Sequence, residues 1–319
     1  MGVQFGQEGS DQRLEGVAVA GARGGRVGEA KVCRSGHGGH PRSARALPGR
    51  EGACQSVGVI AHRPLTEVPV PGPIAAIAGG DEVRAVWRNE RDGLTFELTG
   101  PHRRRFAKWA PAGSGLDLAA ERERLAWAVE FTAVPRVLEW GSGQGGEWLV
   151  TAALPGDSAV SGRWPADPAP VVAAIGHGLR ALHEALPVAS CPFSWGVPER
   201  VARARAAGPQ DAERVGYGGL SPAEALAALE RVPPVDRAVV CHGDACAPNT
   251  LVDGAGRWVG HVDLGELGVA DRWADLAVAS WSLDWNYGPG WEPLLLESYG
   301  VAADPERIAY YRLLWDMTP

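Results

Sequence analysis

The segment Val240-Cys-His-Gly-Asp-Ala-Cys-Ala-Pro-Asn249 carries the spacing H-G-D-x-x-x-x-N, and Asp263, in Val262-Asp-Leu-Gly265, stands fourteen residues beyond Asn249. The apolar runs Ala238–Cys241 and Trp258–Val262 flank this loop and read as short strands. A fold that uses this pattern brings two strand ends together, so that Asp244, Asn249 and Asp263 converge. A lone His-Gly-Asp carries little information, because Asp-Gly turns are common. The combined spacing is what constrains the chain.

The three residue types suit one chemistry. Phosphorylating a hydroxyl needs one carboxylate to orient the acceptor and take its proton. It also needs an amide oxygen and a second carboxylate to hold the magnesium ions that bridge the phosphates. Hard oxygen ligands suit Mg²⁺. Asp244 fits the first role, and Asn249 and Asp263 the second. The order matches the kinase order H-R-D-x-x-x-x-N followed by D-F-G. A zinc reading of Cys241, His242, Cys246 and His261 is weaker, since adjacent strand residues point to opposite faces.

Such a site also needs a cation on the phosphates, held by a helical carboxylate. Of 31 basic residues only Lys31 and Lys108 are lysine, which makes Lys108 conspicuous where arginine is otherwise used throughout. It ends a strand reading over Arg104–Trp109, and Glu121 follows in an amphipathic stretch over Leu116–Phe131 opened by Asp117. Glu123 is a rival, but two residues along a helix turn it about 200° away. The expected phosphate loop is a hairpin, Arg88–Thr95, with Gly93 and the Thr95 hydroxyl as candidates; it lacks G-x-G-x-x-G, and a plain hairpin is the competing reading.

The remaining periodicity places Ile74–Ala78 in a short helix, Val83–Trp87, Leu94–Leu98, Val137–Trp140 and Glu147–Ala153 in strands, and Pro168–Leu186, Val197–Ala207, Pro222–Arg231, Ala270–Leu283 and Ala303–Trp315 in helices. Strands first and helices later is an α+β pattern. The expected organisation is an N-terminal extension over 1–67, disordered or outside the true coding start, then a β-rich lobe over 68–154 and an α-rich lobe over 155–319. Thirteen of the first 52 residues are glycine, too few apolar groups to offset ordering entropy. Those glycines also argue against a metal site at Cys33, His37 and His40.

Composition narrows the partners. With 45% hydrophobic and 22% charged residues the chain is globular rather than disordered as a whole. A net charge of -7 disfavours nucleic acid. No apolar run approaches the roughly 18 residues of a membrane span, and no apolar signal region opens the chain. Five scattered cysteines fit a reducing cytosol. A cytoplasmic monomer acting on a small molecule is expected.

The chain resembles the aminoglycoside phosphotransferases, in particular the 3'- and 3''-phosphotransferase branch. The matching pieces are Phe106-Ala-Lys-Trp-Ala-Pro111, Glu121–Trp127, Trp148-Leu-Val-Thr-Ala-Ala-Leu-Pro-Gly156, Leu179-Arg-Ala-Leu-His183, Cys191-Pro-Phe193, Val239–Asn249, Val262–Leu276 and Ile308-Ala-Tyr-Tyr-Arg-Leu-Leu314, in the expected order over about residues 80–315. The resemblance implies a two-lobed protein-kinase-like fold with ATP and Mg²⁺ in the cleft, and transfer to an aminoglycoside hydroxyl that confers resistance. It implies that Lys108 meets the α/β-phosphates and pairs with Glu121, and that Asp244 is the catalytic carboxylate. Asn249 and Asp263 then bind magnesium. Thr151–Leu154 is the implied hinge, with backbone groups of Ala152 and Leu154 on adenine, and Asp271-Arg-Trp-Ala-Asp-Leu276 resembles the segment that buttresses the metal loop.

Three departures bear on the acceptor. Many relatives end in Leu-Asp-Glu-Phe-Phe, whereas this chain has Leu314-Trp-Asp-Met-Thr-Pro319, leaving Asp316 as the acid there. Glu266 follows Asp-Leu-Gly where relatives often carry arginine. The 201–222 segment is short, with Asp211 and Glu213 as its acids. A polycationic acceptor calls for an acidic pocket, so Glu266, Asp316, Asp211 and Glu213 are substrate candidates, with Trp285 as an aromatic wall. Two other readings are a kinase of another small alcohol, such as an amino sugar, and a non-catalytic nucleotide-binding pseudokinase. The intact Lys108, Asp244, Asn249 and Asp263 argue against the latter.

Overall fold

The computed structural model describes Pro64 and residues 67–208 and 219–318. The glycine-rich segment 1–56, with Cys33, His37 and His40, and the acids Asp211 and Glu213 lie outside the described residues. Among those described, the fold is α+β with two lobes, and no helix is long and apolar enough to cross a membrane.

The first lobe is one antiparallel sheet. Strands β1 (Glu82–Arg88), β2 (Leu94–Gly100), β3 (Arg103–Pro111), β4 (Val137–Gly143) and β5 (Gly146–Ala152) lie in the order β1-β2-β3-β5-β4. Period-two alternation gives the sheet two faces. Phe96, Leu98, Ala107 and Val150 face outward and are sealed by Ile74 and Ala78 of helix α1 (Gly72–Ala78). The opposite face carries Thr95 directly across from Lys108, and Lys108 across from Leu149. Helix α2 (Leu118–Ala128) starts where Asp117 accepts a hydrogen bond from the Ala120 amide at 2.8 Å. Its buried residues Leu118, Glu121, Leu125 and Ala128 recur at helical spacing, so a carboxylate is carried on the inward face.

The second lobe is mostly helical. Helix α3 (Ala169–Ala185) buries Val171, Val172, Ile175, Leu179 and Leu182. It is followed by α4 (Val197–Ala207), α5 (Pro222–Leu229), α6 (Trp273–Tyr287), α7 (Glu292–Tyr299) and α8 (Pro305–Met317). Gly176 lets α7 approach α3 closely, since a Cβ there would sit 2.6 Å from the Leu295 carbonyl. Two small sheets lie at the lobe junction: β7 (Ala238–Cys241) with β10 (Gly268–Asp271), and β8 (Thr250–Val252) between β6 (Asp157–Ser158) and β9 (Trp258–His261).

These sheets revise the expected layout of the catalytic segment. The runs 238–241 and 258–261 do not pair with each other. The helix expected from Ala270 begins at Trp273, because Ala270 and Asp271 are the β10 partners of Val239 and Ala238. Helix α7 was not among the expected elements; it follows Gly288-Pro-Gly290 and carries Pro293 in its first turn. At the first turn of a helix proline costs little.

Candidate active site

Lys108 Nζ lies 2.6 and 2.8 Å from the two oxygens of Glu121 and 2.8 Å from Oδ1 of Asp263. Sheet alternation aims Lys108 into the cleft, and the helical face of α2 aims Glu121 at it. Glu123 is exposed and faces Arg122 instead. Burial opposes the charge on Lys108, but the carboxylates of Asp263 and Glu121 outweigh it and hold the ammonium above its usual value. Burial pushes Glu121 upward against the pull of Lys108. Asp263 has a φ of 65°, in the left-handed region. For a residue with a side chain this costs roughly 1–3 kcal/mol, which a functional site can hold when its surroundings over-determine it.

The loop that carries Asp244 leaves β7 at His242. Gly243 has a φ of 87°, and a Cβ there would sit 2.2 Å from the Glu266 carbonyl, so the His-Gly-Asp turn admits only glycine. The buried His242 ring takes the Asp244 amide at Nδ1 (3.3 Å) and donates from Nε2 to the Val262 carbonyl (3.0 Å). It therefore ties the Asp244 segment to the Asp263 segment. Asn249 Nδ2 donates to Asp244 Oδ2 at 3.2 Å and to the Asp244 carbonyl at 3.0 Å. The Val262 amide donates to the Asn249 carbonyl at 3.0 Å. Beneath the loop, Asp275 accepts from the His242 amide (2.6 Å), the Gly243 amide (2.9 Å) and His183 Nε2 (2.9 Å). Burial works against its charge, yet those donors hold the Asp275 carboxyl below the usual range. Spacing alone assigned no role to His242 or His183; the H-G-D and Leu-His patterns were the available signals.

Asn249 Oδ1 and Asp263 Oδ2 are buried without a hydrogen-bond partner. Unsatisfied buried oxygens are costly. A hard divalent cation is the ligand this donor set fits.

Between the lobes lies a cavity lined by Thr95, Lys108, Glu121, Ala152, Leu154 and Asp263, all candidates from the sequence. Phe106, Leu125, Leu251 and Val262 add apolar walls that sequence reasoning did not single out. The Thr95 hydroxyl is buried without a partner. The Ala152 amide is committed to the Arg136 carbonyl at 2.9 Å, so Ala152 offers only its carbonyl. Leu154, past the end of β5, makes no backbone hydrogen bond among the described residues. Gly93 does not line the cavity; its amide donates to Asn89 Oδ1 at 2.7 Å, and a Cβ would collide with Asn89 and Leu116. It closes the hairpin, and the hairpin's own side chain occupies the amide expected to face a phosphate.

Of the substrate candidates, Glu266 forms an ion pair with Arg203 at 3.1 Å, which offsets its charge. Trp285 and Asp316 are half-buried. The zinc alternative is not assembled: the Cys241 thiol donates to the Asp271 carbonyl, His242 is engaged as above, and Cys246 packs with Val278 and Trp315.

The sequence model of a phosphotransferase enzyme family matches residues 74–311. The chain is similar to an aminoglycoside 3'-phosphotransferase of Streptomyces fradiae, with 40% identity over 256 residues covering 73% of this chain and 94% of the relative. It is similar to a streptomycin 3''-kinase of Streptomyces griseus, with 36% identity over 277 residues covering 80% and 99%. Among solved structures, the aminoglycoside phosphotransferase APH(3'')-Id of Streptomyces rimosus in complex with ADP and streptomycin superposes with a TM-score of 0.58 at 29% identity, covering 70% of this chain and 90% of that one.

Proposed function

The chain belongs to the phosphotransferase enzyme family, and from that premise we propose that it transfers the γ-phosphoryl group of ATP to a 3' or 3'' hydroxyl of an aminoglycoside antibiotic, and so confers resistance. The observation that carries this reading is the convergence of Lys108, Glu121 and Asp263 with the Asp244–Asn249 loop around one cleft. The relatives' names give the acceptor class.

Each residue has a physical task. Phe106 and Leu251 would hold adenine, with the Ala152 carbonyl and the Leu154 amide available to its polar edge. Lys108, oriented by Glu121, meets the α/β-phosphates, and the Thr95 hydroxyl faces them from β2. Asn249 Oδ1 and Asp263 Oδ2 hold Mg²⁺, which supplies charge neutralisation on the phosphates when bound. Asp244, fixed by Asn249, would accept the proton of the acceptor hydroxyl as that oxygen bonds to the γ-phosphorus and the bond from phosphorus to the bridging oxygen breaks, ADP leaving. Asp316 and Trp285 face the acceptor. Glu266 contributes less, being paired with Arg203.

The test is incubation of the purified protein with ATP, Mg²⁺ and a panel of aminoglycosides, read by mass spectrometry. One added phosphoryl group on at least one drug supports the proposal. ATP turnover confined to an unrelated alcohol, or none at all, overturns it.

A further inference from the structure

Arg124 of helix α2 reaches out of its own lobe. Its Nε donates to the Leu267 carbonyl at 2.9 Å, and its guanidinium carbon lies 4.8 Å from the centre of the Phe193 ring. Among the described residues that carbonyl is its one acceptor outside α2; the other is the Ala120 carbonyl, one turn back, at 3.2 Å from Nη1. Arg124 is half-buried and Leu267 is buried. A charged donor on a buried carbonyl makes one of the stronger hydrogen bonds in a fold. Phe193 is itself anchored, because the Val269 amide donates to its carbonyl at 2.9 Å and the Trp195 amide donates to the Val269 carbonyl at 3.0 Å. The guanidinium is thus held at two fixed points of the second lobe, a carbonyl and a ring face.

Leu267 closes the turn that follows Asp263, its amide donating to the Leu264 carbonyl at 3.1 Å. Within that turn Gly265 lies against α2, where a Cβ would meet Glu121 Cβ at 3.8 Å. On the other side the Glu266 carbonyl lies against Gly243. Leu264 and Leu267 share a buried cluster with Leu118 and Leu125 of α2. That apolar contact keeps the helix on the turn, but it is non-directional and does not fix where along the turn the helix sits. Arg124 supplies the directional contact. Glu121 precedes it by three residues, which places both on one side of the helix. Fixing Arg124 on Leu267 therefore fixes the Glu121 carboxylate relative to Asp263, and Lys108 is bonded to both. It also helps to over-determine the left-handed φ of Asp263.

Building on the proposed function, we infer that Arg124 is a positioning residue: by pinning α2 to the Leu267 carbonyl and the Phe193 ring it holds Glu121, Lys108 and Asp263 in register, and so sets the affinity of the cleft for a nucleotide diphosphate with its Mg²⁺. It touches neither ligand. Its effect passes through the turn, so the metal-dependent part of nucleotide binding is the part it controls.

Titration calorimetry of the full chain with ADP, with and without Mg²⁺, tests this without an acceptor. Wild-type protein should bind ADP more tightly with Mg²⁺. R124M keeps the aliphatic stem but leaves the Leu267 carbonyl without its donor. It should weaken Mg²⁺–ADP binding by about tenfold or more, the worth of a hydrogen bond from a charged donor, and metal-free ADP binding much less. R124K keeps a charge and a donor but not the planar fork, so it should fall between R124M and wild type; it also keeps the inference testable if R124M does not fold. A Mg²⁺ advantage in R124M equal to that of wild type overturns the inference. So does an equal weakening with and without Mg²⁺, which marks a general packing role. If the wild-type protein shows the Mg²⁺ advantage yet phosphorylates no aminoglycoside, the acceptor in the proposed function is wrong and the role of Arg124 is still decided by its variants. A wild-type protein that binds no ADP, or gains nothing from Mg²⁺, overturns both.

Discussion

Lys108 Nζ and Asp263 Oδ1 lie 2.8 Å apart although 155 residues of chain separate them. The same ammonium holds Glu121, so one buried cation faces two carboxylates. That arrangement keeps a net negative charge in the cleft and leaves Asp263 with one oxygen to share. A buried cluster of this kind is poor evidence for stability, because desolvation offsets much of the attraction. Its value is positional: it holds Lys108 and Asp263, to which the proposed function gives the phosphates and the metal, in one place.

Removing Lys108 should therefore damage both binding and fold. In K108A the carboxylates of Glu121 and Asp263 stay buried without a counter-charge, and breaking such a pair costs about 3–5 kcal/mol. KM for ATP should rise and the melting temperature should fall. The double variant K108M/E121Q should recover part of the melting temperature but no activity. Calorimetric scans of the three proteins would decide the matter; an unchanged melting temperature in K108A would show the cluster is not buried as described.

Asp263 should couple nucleotide to metal. Wild-type protein should bind ADP more tightly with Mg²⁺ than without it, and D263A should lose that difference. A ligand that binds only the folded state stabilises it by about 2.7 kcal/mol at a hundredfold excess over Kd. Thermal shift with ADP, with and without Mg²⁺, gives the readout. An equal Mg²⁺ response in D263A would exclude Asp263 from the metal site.

Asp244 and Asp275 should fail in different ways. D244N keeps the hydrogen bonds of the loop but loses the proton acceptor, so kcat should drop by roughly 10²-fold or more while ATP binding persists. D275A instead strands the amides of His242 and Gly243 and the ring of His183. Each buried polar group left unsatisfied costs about 1–3 kcal/mol, so stability and kcat should fall together. Turnover by D244N within a few-fold of wild type would remove Asp244 from the mechanism.

Two buried histidines predict acid sensitivity. Burial lowers His242, and burial with the neighbouring His242 brings His261 to about 3. Unfolded, both titrate near the ordinary histidine value, so below it the unfolded chain binds protons that the folded one does not. Stability should then fall as pH drops from about 6.5, by up to about 1.4 kcal/mol per pH unit for each histidine. Protonation of His242 also removes the Nδ1 acceptor of the Asp244 amide. Melting temperatures between pH 7.5 and 5 should decline, and less steeply in H261Q; a flat profile would contradict neutral burial.

The reach of sequence reasoning differs from element to element. Residue type and spacing singled out Asp244, Asn249, Asp263, Lys108 and Glu121, and the structure links Lys108 to Glu121 and Asp263, and Asn249 to Asp244, because period-two and period-3.6 patterns say which face each occupies. The same patterns placed β3 and α2, whose alternation is local. They could not say that β7 pairs with β10 and β9 with β8, since short apolar runs carry no label for their partners, and so the start of α6 was placed inside β10. Gly93 looked like a phosphate-loop glycine until the Asn89 side chain was seen to occupy its amide. Glu266 was a substrate candidate by its place after Asp-Leu-Gly, and only packing shows that Arg203, 63 residues away, pairs with it. The anchoring of the catalytic loop on Asp275 and the meeting of Trp281 and Trp285 with Trp315 also depend on side chains from distant helices. Local periodicity determines which face of an element is buried; which side chains meet there is decided by packing across the whole chain.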